Sequence, residues 1–171
     1  ANLIKHIENV KKHGVTPIIA INVYDSDHPE EIEAVKRIAI TAGALGASPA
    51  RHFARGGVGA VELGEMVMSA AATPGAFHHL YPLELSIKQK IETIAREIYG
   101  AADVAYEPLA DQQIASYEGN GFGGLPICMA KTHLSFTTDA TKKGAPNGFR
   151  ISVREIRASV GAGFLYPILG D

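Results

Sequence analysis

The sequence has little that would place the protein in an oxidising compartment, in a membrane or on nucleic acid. Cys128 is the one cysteine among 171 residues, which excludes an intrachain disulfide and fits a reducing environment. No apolar run approaches the roughly 18 residues that a membrane-spanning helix requires. The 16 basic residues are dispersed among 18 acidic ones, so no basic patch for nucleic acid is evident. We therefore expect a soluble globular protein without a membrane or nucleic-acid partner.

Motifs of several common catalytic sites are also missing. There is no Gly-x-Ser-x-Gly motif, and Cys128 lies in an apolar run that does not favour an activated thiolate. The histidines lack paired spacing with cysteine or carboxylates, which does not favour a metal site. Lys131-Thr132 is similar to the end of a phosphate-binding loop, but Ala130 stands where that loop requires glycine. The simplest roles for Lys131 and His133 are a strand-end ion pair and a capped surface histidine.

Both ends of the chain fall inside structured patterns. Ala1 begins directly in an amphipathic helical pattern, with no initiator methionine and no targeting signal. Asp171 follows immediately on a strand-like run. We therefore expect the chain to be a piece of a longer protein.

The first half of the chain, residues 1–80, predicts an α/β unit. Its predicted elements are a helix over residues 3–10, a buried strand over 17–22, a helix with an apolar face over 32–42, and a helix with a buried stripe at Leu63, Met66, Val67 and Ala70. Ser26 or Asp27 is expected to cap the second helix. A loop rich in Gly, Ala, Ser and Pro precedes the third helix. This order is typical of an α/β unit cut from a larger sheet.

The second half, residues 81–171, predicts a small α+β domain. Ser86 with Gln89 has the signature of a capping box at the start of a helix that Gly100 ends. Pro108 begins a shorter helix. Strand-like runs then follow at residues 125–130, 149–153 and 163–169. In the second of these runs apolar and polar residues alternate, so one face of that strand is expected to contact water.

Asn22 and Tyr24 stand where the first predicted strand ends and a loop begins. Ligands of open α/β sheets bind at the carboxyl ends of strands. An Asn amide there can pair with the edge of a heterocycle, and the Tyr24 ring offers a flat surface for stacking. An ordinary turn stabilised by an Asn or Asp side chain is the alternative, and the sequence leaves both open.

A second candidate site is the run from Phe53 to Gly59. An exposed aromatic precedes Arg55, Gly56 and Gly57, and the run leads into a helix N-terminus that can bind anions. The glycine spacing is not that of a dinucleotide-binding fingerprint, and a flexible loop entering a helix remains the alternative. Tyr24 and Phe53, on adjacent loops, could enclose one aromatic ligand between them.

Two glycine-containing segments, residues 121–135 and 156–167, have a residue spacing that no generic strand or helix requires. They resemble the C-terminal part of formate–tetrahydrofolate ligase, and most of all the form that is fused in eukaryotic one-carbon synthases. The likeness covers essentially all 171 residues and is far more specific than a short motif. It implies the C-terminal remnant of a P-loop-type α/β domain, followed by the family's small α+β domain.

The resemblance also implies which residues contact ligands. In the family two aromatic side chains enclose the planar ring of the bound pterin or nucleotide base. They match Tyr24, where Phe is common, and Phe53, where Trp is usual. Both residues keep an aromatic face, so we expect stacking to survive, with weaker stacking at Phe53. Asn22 and the run Arg55-Gly56-Gly57 match positions that line the same cleft.

The family joins formate to tetrahydrofolate with MgATP, through formyl phosphate. The resemblance therefore implies ATP with Mg²⁺ as cofactor and formate, ATP and tetrahydrofolate as small-molecule partners. Whether a monovalent cation is a further cofactor is left open. It implies either a homo-oligomer or a complementing N-terminal part. It also implies a cytoplasmic location, or a mitochondrial one for a eukaryotic source.

One departure from the family pattern bears on activity. The family's glycine-rich ATP loop, its catalytic lysine and the arginine that holds formyl phosphate all precede the part that matches Ala1. We therefore expect no catalytic residue in this chain and no ligase activity from the chain alone. The alternatives are a non-catalytic folate-binding, nucleotide-binding or assembly module, and a fragment that complements a separate N-terminal chain.

Overall fold

The computed structural model describes residues 1–129, 135–139 and 141–170. The chain divides into two compact units, Ala1–His78 and His79–Asp171. Whether these units are the domains of a longer protein, as the sequence predicts for residues 1–80 and 81–171, stays a prediction. Within the described ranges no helix has the length and apolar character needed to cross a membrane.

The first unit alternates helices with parallel strands. Its elements are α1 (Asn2–Lys11), β1 (Ile18–Asn22), α2 (Pro29–Thr41), β2 (Gly46–Ala50), α3 (His52–Arg55), a 3₁₀ turn (Gly56–Ala60) and α4 (Val61–Ala71). The two strands pair in parallel, with the crossover helix α2 between them. This arrangement confirms the predicted α/β class.

Strand β2 was not predicted, because its five residues contain no β-branched or aromatic side chain. Its pairing with β1 outweighs this weak propensity, and Ser48 at its centre is fully buried. Pro49 is tolerated because β2 pairs with one strand alone among the described residues, and an edge strand can do without one backbone donor.

Two further details of the first unit differ from the sequence predictions. His28, and neither Ser26 nor Asp27, is the N-cap of α2, and its backbone N–H donates to Glu31 Oε2 at 3.2 Å. The Asp27 carboxylate instead accepts a hydrogen bond within the preceding loop. The expected buried stripe of α4 is only half-buried, and its member Val67 is 48% exposed.

The second unit builds a mixed sheet against helices. Its elements are α5 (Ile87–Ile94), a π-helical turn (Ala95–Tyr99), β3 (Asp103–Tyr106), α6 (Pro108–Gly119), a 3₁₀ turn (Phe122–Gly124), β4 (Arg150–Ser159), a 3₁₀ turn (Val160–Ala162) and β5 (Phe164–Leu169). The strand order is β3-β4-β5, with β3 parallel and β5 antiparallel to β4. The core is formed by fully buried side chains that include Ile87, Ile91, Tyr99, Val153, Ile156 and Leu165.

The predicted start and end of α5 are confirmed. Ser86 Oγ accepts a hydrogen bond from Gln89 N at 3.3 Å, and Gln89 Oε1 accepts one from Ser86 N at 3.0 Å, which is the predicted capping box. The helix continues into the π-helical turn and stops at Gly100, whose φ of 79° lies in the left-handed region that favours glycine.

The alternation predicted along the second strand-like run is also confirmed. Phe149, Ile151 and Val153 are buried, whereas Arg150 and Arg154 are exposed. β4 extends beyond the predicted run, to Ser159, after an irregularity in its pairing with β5. One face of the sheet therefore packs on the core and the other contacts water.

For the second unit the sequence patterns missed one strand and predicted one strand wrongly. β3 was missed because it is only four residues long and gains its stability from pairing with β4. The run 125–130 contains a single bridge, between Ile127 and Leu165, and no strand within its described residues. On the side of the chain that faces away from Leu165, the Ile127 N–H donates to the Tyr81 hydroxyl at 2.9 Å, so a side chain takes the place of a second strand.

Cys128 is exposed although it lies in an apolar run of the sequence. The neighbouring residues Ala130, Lys131, Thr132 and His133 lie outside the described residues, so the roles suggested for Lys131 and His133 stay predictions.

Candidate functional site

A tight turn at the carboxyl end of β1 presents the ring of Tyr24. Asn22 is the last residue of the strand, and the Tyr24 side chain two positions later is 62% exposed. Tyr24 N donates to Asp27 Oδ2 at 2.9 Å, and Asp27 N donates to the Tyr24 carbonyl oxygen at 3.0 Å. The turn that the sequence offered as an alternative is therefore present, and it leaves the aromatic face accessible.

The second loop, which is the segment after β2 that contains the short helix α3 and the 3₁₀ turn, is closed at its base by backbone hydrogen bonds. Arg51 N donates to the carbonyl oxygen of Gly59 at 2.9 Å, and Arg55 N donates to that of Arg51 at 2.9 Å. A Cβ at Gly59 would stand 2.6 Å from the carbonyl carbon of Arg51, so only glycine allows this closure without a shift of the backbone. The closed loop carries the 91% exposed side chain of Phe53.

Gly56 and Gly57 leave open space at the tip of this loop. A Cβ built at either position would meet no atom within 4 Å, and Gly56 has a φ of 58°. Arg55, immediately before them, is exposed. A ligand can therefore approach the backbone of this loop closely, beside a positive charge.

The pairing of the strands brings these two loops to one edge of the sheet. Asn22 is the register partner of Ala50, and Val23 N donates to the Ala50 carbonyl oxygen at 3.1 Å. Tyr24 and Phe53 follow these paired residues by two and three positions, respectively. Since adjacent strands lie about 4.8 Å apart, both aromatic side chains emerge at the carboxyl edge where α/β sheets bind ligands.

The chemistry of this edge fits a flat heterocycle. Two accessible aromatic faces can stack on a ring, the Asn22 amide can donate and accept hydrogen bonds, and Arg55 can contact an anionic group. Among the residues that the structure describes, no group of three or more His, Cys, Asp or Glu side chains could hold a metal ion.

Sequence reasoning singled out one of the two residues that close the base of the second loop. Gly59 ended the candidate run, whereas Arg51 was not a candidate. The third glycine of the run Gly56-Gly-Val-Gly59 was the available signal, since a close backbone approach is one of the reasons for a glycine in a loop.

The fold places the chain among α/β proteins, in which parallel strands carry ligand-binding loops at their carboxyl ends. A model of the formate–tetrahydrofolate ligase family matches residues 1–171. The chain belongs to that family.

Bacterial proteins named formate–tetrahydrofolate ligase are similar to the whole chain. The protein from Herpetosiphon aurantiacus is 52% identical over 171 residues, which are 100% of this chain and 30% of the relative. Those from Saccharopolyspora erythraea and Chloroflexus aurantiacus are 48% and 50% identical over 170 and 172 residues, with 99% of this chain and 30% of each relative covered. The chain therefore spans about a third of the length of these relatives. The likeness to the eukaryotic fused form stays a prediction.

Proposed function

We propose that this chain is part of an ATP-dependent ligase that formylates tetrahydrofolate with formate, and that it supplies the wall on which a planar ring stacks. The observation that carries this proposal is the pair of exposed aromatic side chains, Tyr24 and Phe53, after neighbouring parallel strands. Membership of the ligase family supplies the reaction, and the aromatic pair supplies this chain's share in it.

The exposure of the two rings supports a ligand role. Phe53 is 91% exposed, and its aromatic surface gains nothing from burial in this state. Its loop is nevertheless held by the Arg51–Gly59 hydrogen bond, so the ring is attached to an ordered backbone. A rigid support for an exposed ring favours stacking, because less conformational entropy is lost when the ligand binds.

The neighbouring residues have complementary roles in the proposal. The Asn22 amide pairs with the edge of the heterocycle, and the guanidinium of Arg55 attracts an anionic part of the ligand. Gly56 and Gly57 allow the ligand to approach the backbone, because no side chain stands in the way. The ring is that of a pterin or of a nucleotide base.

The reaction itself requires groups that we expect outside this chain. An oxygen of formate attacks the γ-phosphorus of ATP, ADP leaves, and formyl phosphate forms. The N10 amine of tetrahydrofolate then attacks the formyl carbon and inorganic phosphate leaves. Bound Mg²⁺ would neutralise charge on the phosphates, whereas Tyr24 and Phe53 orient a ring and exclude water from its faces.

A chimeric ligase tests the proposal. The segment of the Herpetosiphon aurantiacus protein that aligns with residues 1–171 is replaced by this chain, which is 52% identical to it. We expect the chimera to release phosphate from ATP only when formate and tetrahydrofolate are both present, and we expect no activity from this chain alone. A folded but inactive chimera would contradict the proposal, and an active isolated chain would contradict the predicted dependence on the rest of the ligase.

The alternative is a non-catalytic module that binds folate or a nucleotide, or that serves assembly. The complete aromatic edge lies within the first unit, which favours binding by the chain alone. Calorimetric titration of this chain with tetrahydrofolate and with ATP identifies such binding. Binding by the chain together with an inactive chimera would favour this alternative, and no heat from either ligand would leave only an assembly role.

A further inference from the structure

A large apolar trough lies at the opposite end of the first unit's sheet from Tyr24 and Phe53. It has a volume of about 640 Å³ and is lined on the strand side by Val15, Ile18 and Leu45 and on the helix side by Val67, Ala70 and Ala71. Ile18 begins β1 and Leu45 immediately precedes β2, so the trough is at the amino ends of the strands. No charged residue lines it within the fully described first unit. The trough is therefore separate from the carboxyl edge of the sheet, which carries the candidate ligand-binding residues Tyr24 and Phe53.

Helix α4, which forms one wall of the trough, is apolar but not buried. Its polar residues Glu62, Glu65 and Ser69 recur at spacings of three and four and therefore share one face. Most of the remaining circumference is apolar, yet none of the eleven residues of α4, all of them described, is buried. Met68 is 68% exposed. A helix with so wide an apolar surface is typical of a protein interior.

Strand β1, whose first residue Ile18 lines the trough, is likewise less covered than its sequence predicts. Its residues Ile-Ile-Ala-Ile-Asn are the near-continuous apolar run of a parallel strand that is buried on both faces. In the described residues β1 pairs with β2 alone, its isoleucines are half-buried and Ala20 is exposed. The sheet therefore lacks a neighbour for β1 and a layer over part of its surface.

We propose that the trough, together with the free surface of α4 and the open edge of β1, is a docking surface for the rest of the ligase polypeptide. This inference rests on the proposed function, since it takes the chain to be part of an intact ligase. The matched segment is 30% of each relative, so the larger part of their length is available to cover the surface. The occupant presents apolar side chains to the trough, because the trough offers no charge to pair with.

Hydrogen exchange in the chimeric ligase and in the isolated chain tests the docking surface. We expect the backbone amides of β1 and α4 to exchange markedly more slowly in the chimera, because a new strand and a covering layer protect them. Equal exchange of these amides in both proteins would overturn the proposal. Activity is not the readout, so an inactive chimera with a protected α4 would contradict the proposed function while leaving the docking surface supported.

A charge placed in the trough gives a second, independent test. Val67→Glu should leave the melting temperature of the isolated chain nearly unchanged, because Val67 is 48% exposed there, and should lower that of the chimera by about 2 °C or more. Leu109→Glu is the matched control, since Leu109 is 50% exposed on α6 and does not line the trough. Equal effects of the two substitutions in the chimera would contradict the proposal. So would an isolated chain that sediments as a dimer and becomes a monomer with Val67→Glu, because the occupant would then be a second copy.

Discussion

The ammonium group of Lys90 donates a hydrogen bond to the carbonyl oxygen of Gly123 at a distance of 2.6 Å, across 33 residues of sequence. The same Nζ donates to the carbonyl oxygen of Leu125 at 3.1 Å, and the Lys90 side chain is fully buried. Burial lowers the pKa of Lys90 below its usual value, whereas the charges of Glu84 and Glu118 act in the opposite direction. Lys90 therefore attaches the 3₁₀ turn Phe122–Gly124 to α5 by charge-assisted hydrogen bonds.

Lys90→Met should destabilise the second unit. The substitution keeps an unbranched side chain of similar length but leaves two backbone carbonyls without their donor. Each such loss costs about 1–3 kcal/mol, so we expect the free energy of unfolding to fall by at least about 2 kcal/mol in urea titrations. Lys88→Met is the control, because Lys88 is partly exposed and its ion pair with Asp111 is on the surface. A similar small effect of both substitutions would contradict the structural role of Lys90.

The buried Tyr99 and the half-buried Tyr106 should make the fold sensitive to alkaline pH. Burial raises the pKa of Tyr99 and of Tyr106 well above 10, the ordinary value that they regain on unfolding. Below about pH 10 both states keep these protons and the fold has its full stability. Above that pH the unfolded state loses them while the folded state retains them, so the free energy of unfolding should decrease as pH rises.

The ultraviolet absorbance of tyrosinate, recorded with circular dichroism, checks this titration. Wild type and Tyr99→Phe should give the same tyrosinate signal until the helical signal is lost, and the variant should give less afterwards. A smaller tyrosinate signal from Tyr99→Phe while the protein is still folded would show that Tyr99 ionises in the folded state, contrary to the prediction.

Removal of either aromatic ring of the candidate site should weaken folate binding. Tyr24→Ala or Phe53→Ala should each cost about 1–3 kcal/mol, as for stacking of a base on an aromatic side chain, which corresponds to a roughly 5- to 150-fold rise in Kd for the ring-containing ligand. Phe53→Trp should tighten binding because it enlarges the stacking surface. Leu109→Ala, at an exposed apolar residue outside the site, should have no effect. Calorimetric titration measures the affinity of all four variants. Unchanged affinity in Tyr24→Ala and Phe53→Ala would contradict the ring-stacking role of these residues.

Gly59→Ala should impair ligand binding although Gly59 is not a proposed ligand contact. The added Cβ collides with the carbonyl group of Arg51, so the closed base of the loop must open and displace Phe53. Gly64→Ala is the matched control, since Gly64 lies in α4 with open space around its Cβ and alanine favours a helix. We expect a several-fold rise in Kd for Gly59→Ala alone. Equal affinity of the two variants would show that the closed base of the loop is not needed for ligand binding.

The local signals of the sequence sufficed for the elements that carry their own stop and start residues. The capping box at Ser86 and Gln89 determined where α5 begins, and Gly100 determined where its extension ends, because both act within one turn of the helix. The alternation around Ile151 likewise determined which face of β4 is buried.

Features that depend on contacts between distant residues could not be predicted in this way. β2 and β3 form because β1 and β4 offer backbone partners, which no propensity within their own short segments indicates. The fully buried position of Lys90 depends on carbonyl groups that lie more than 30 residues away. An isolated lysine in a helical pattern otherwise predicts a solvated side chain.

The family, the α/β class and the choice of Tyr24 and Phe53 as candidates follow from residue types and their order. That both rings emerge at one edge of a parallel sheet follows only from the fold, since the register of Asn22 with Ala50 aligns the two strand ends. The fold also leaves the apolar residues of α4 and β1 only partly covered in this chain. Burial depends on what packs against a residue, and that information lies in the fold and not in the order of the residues.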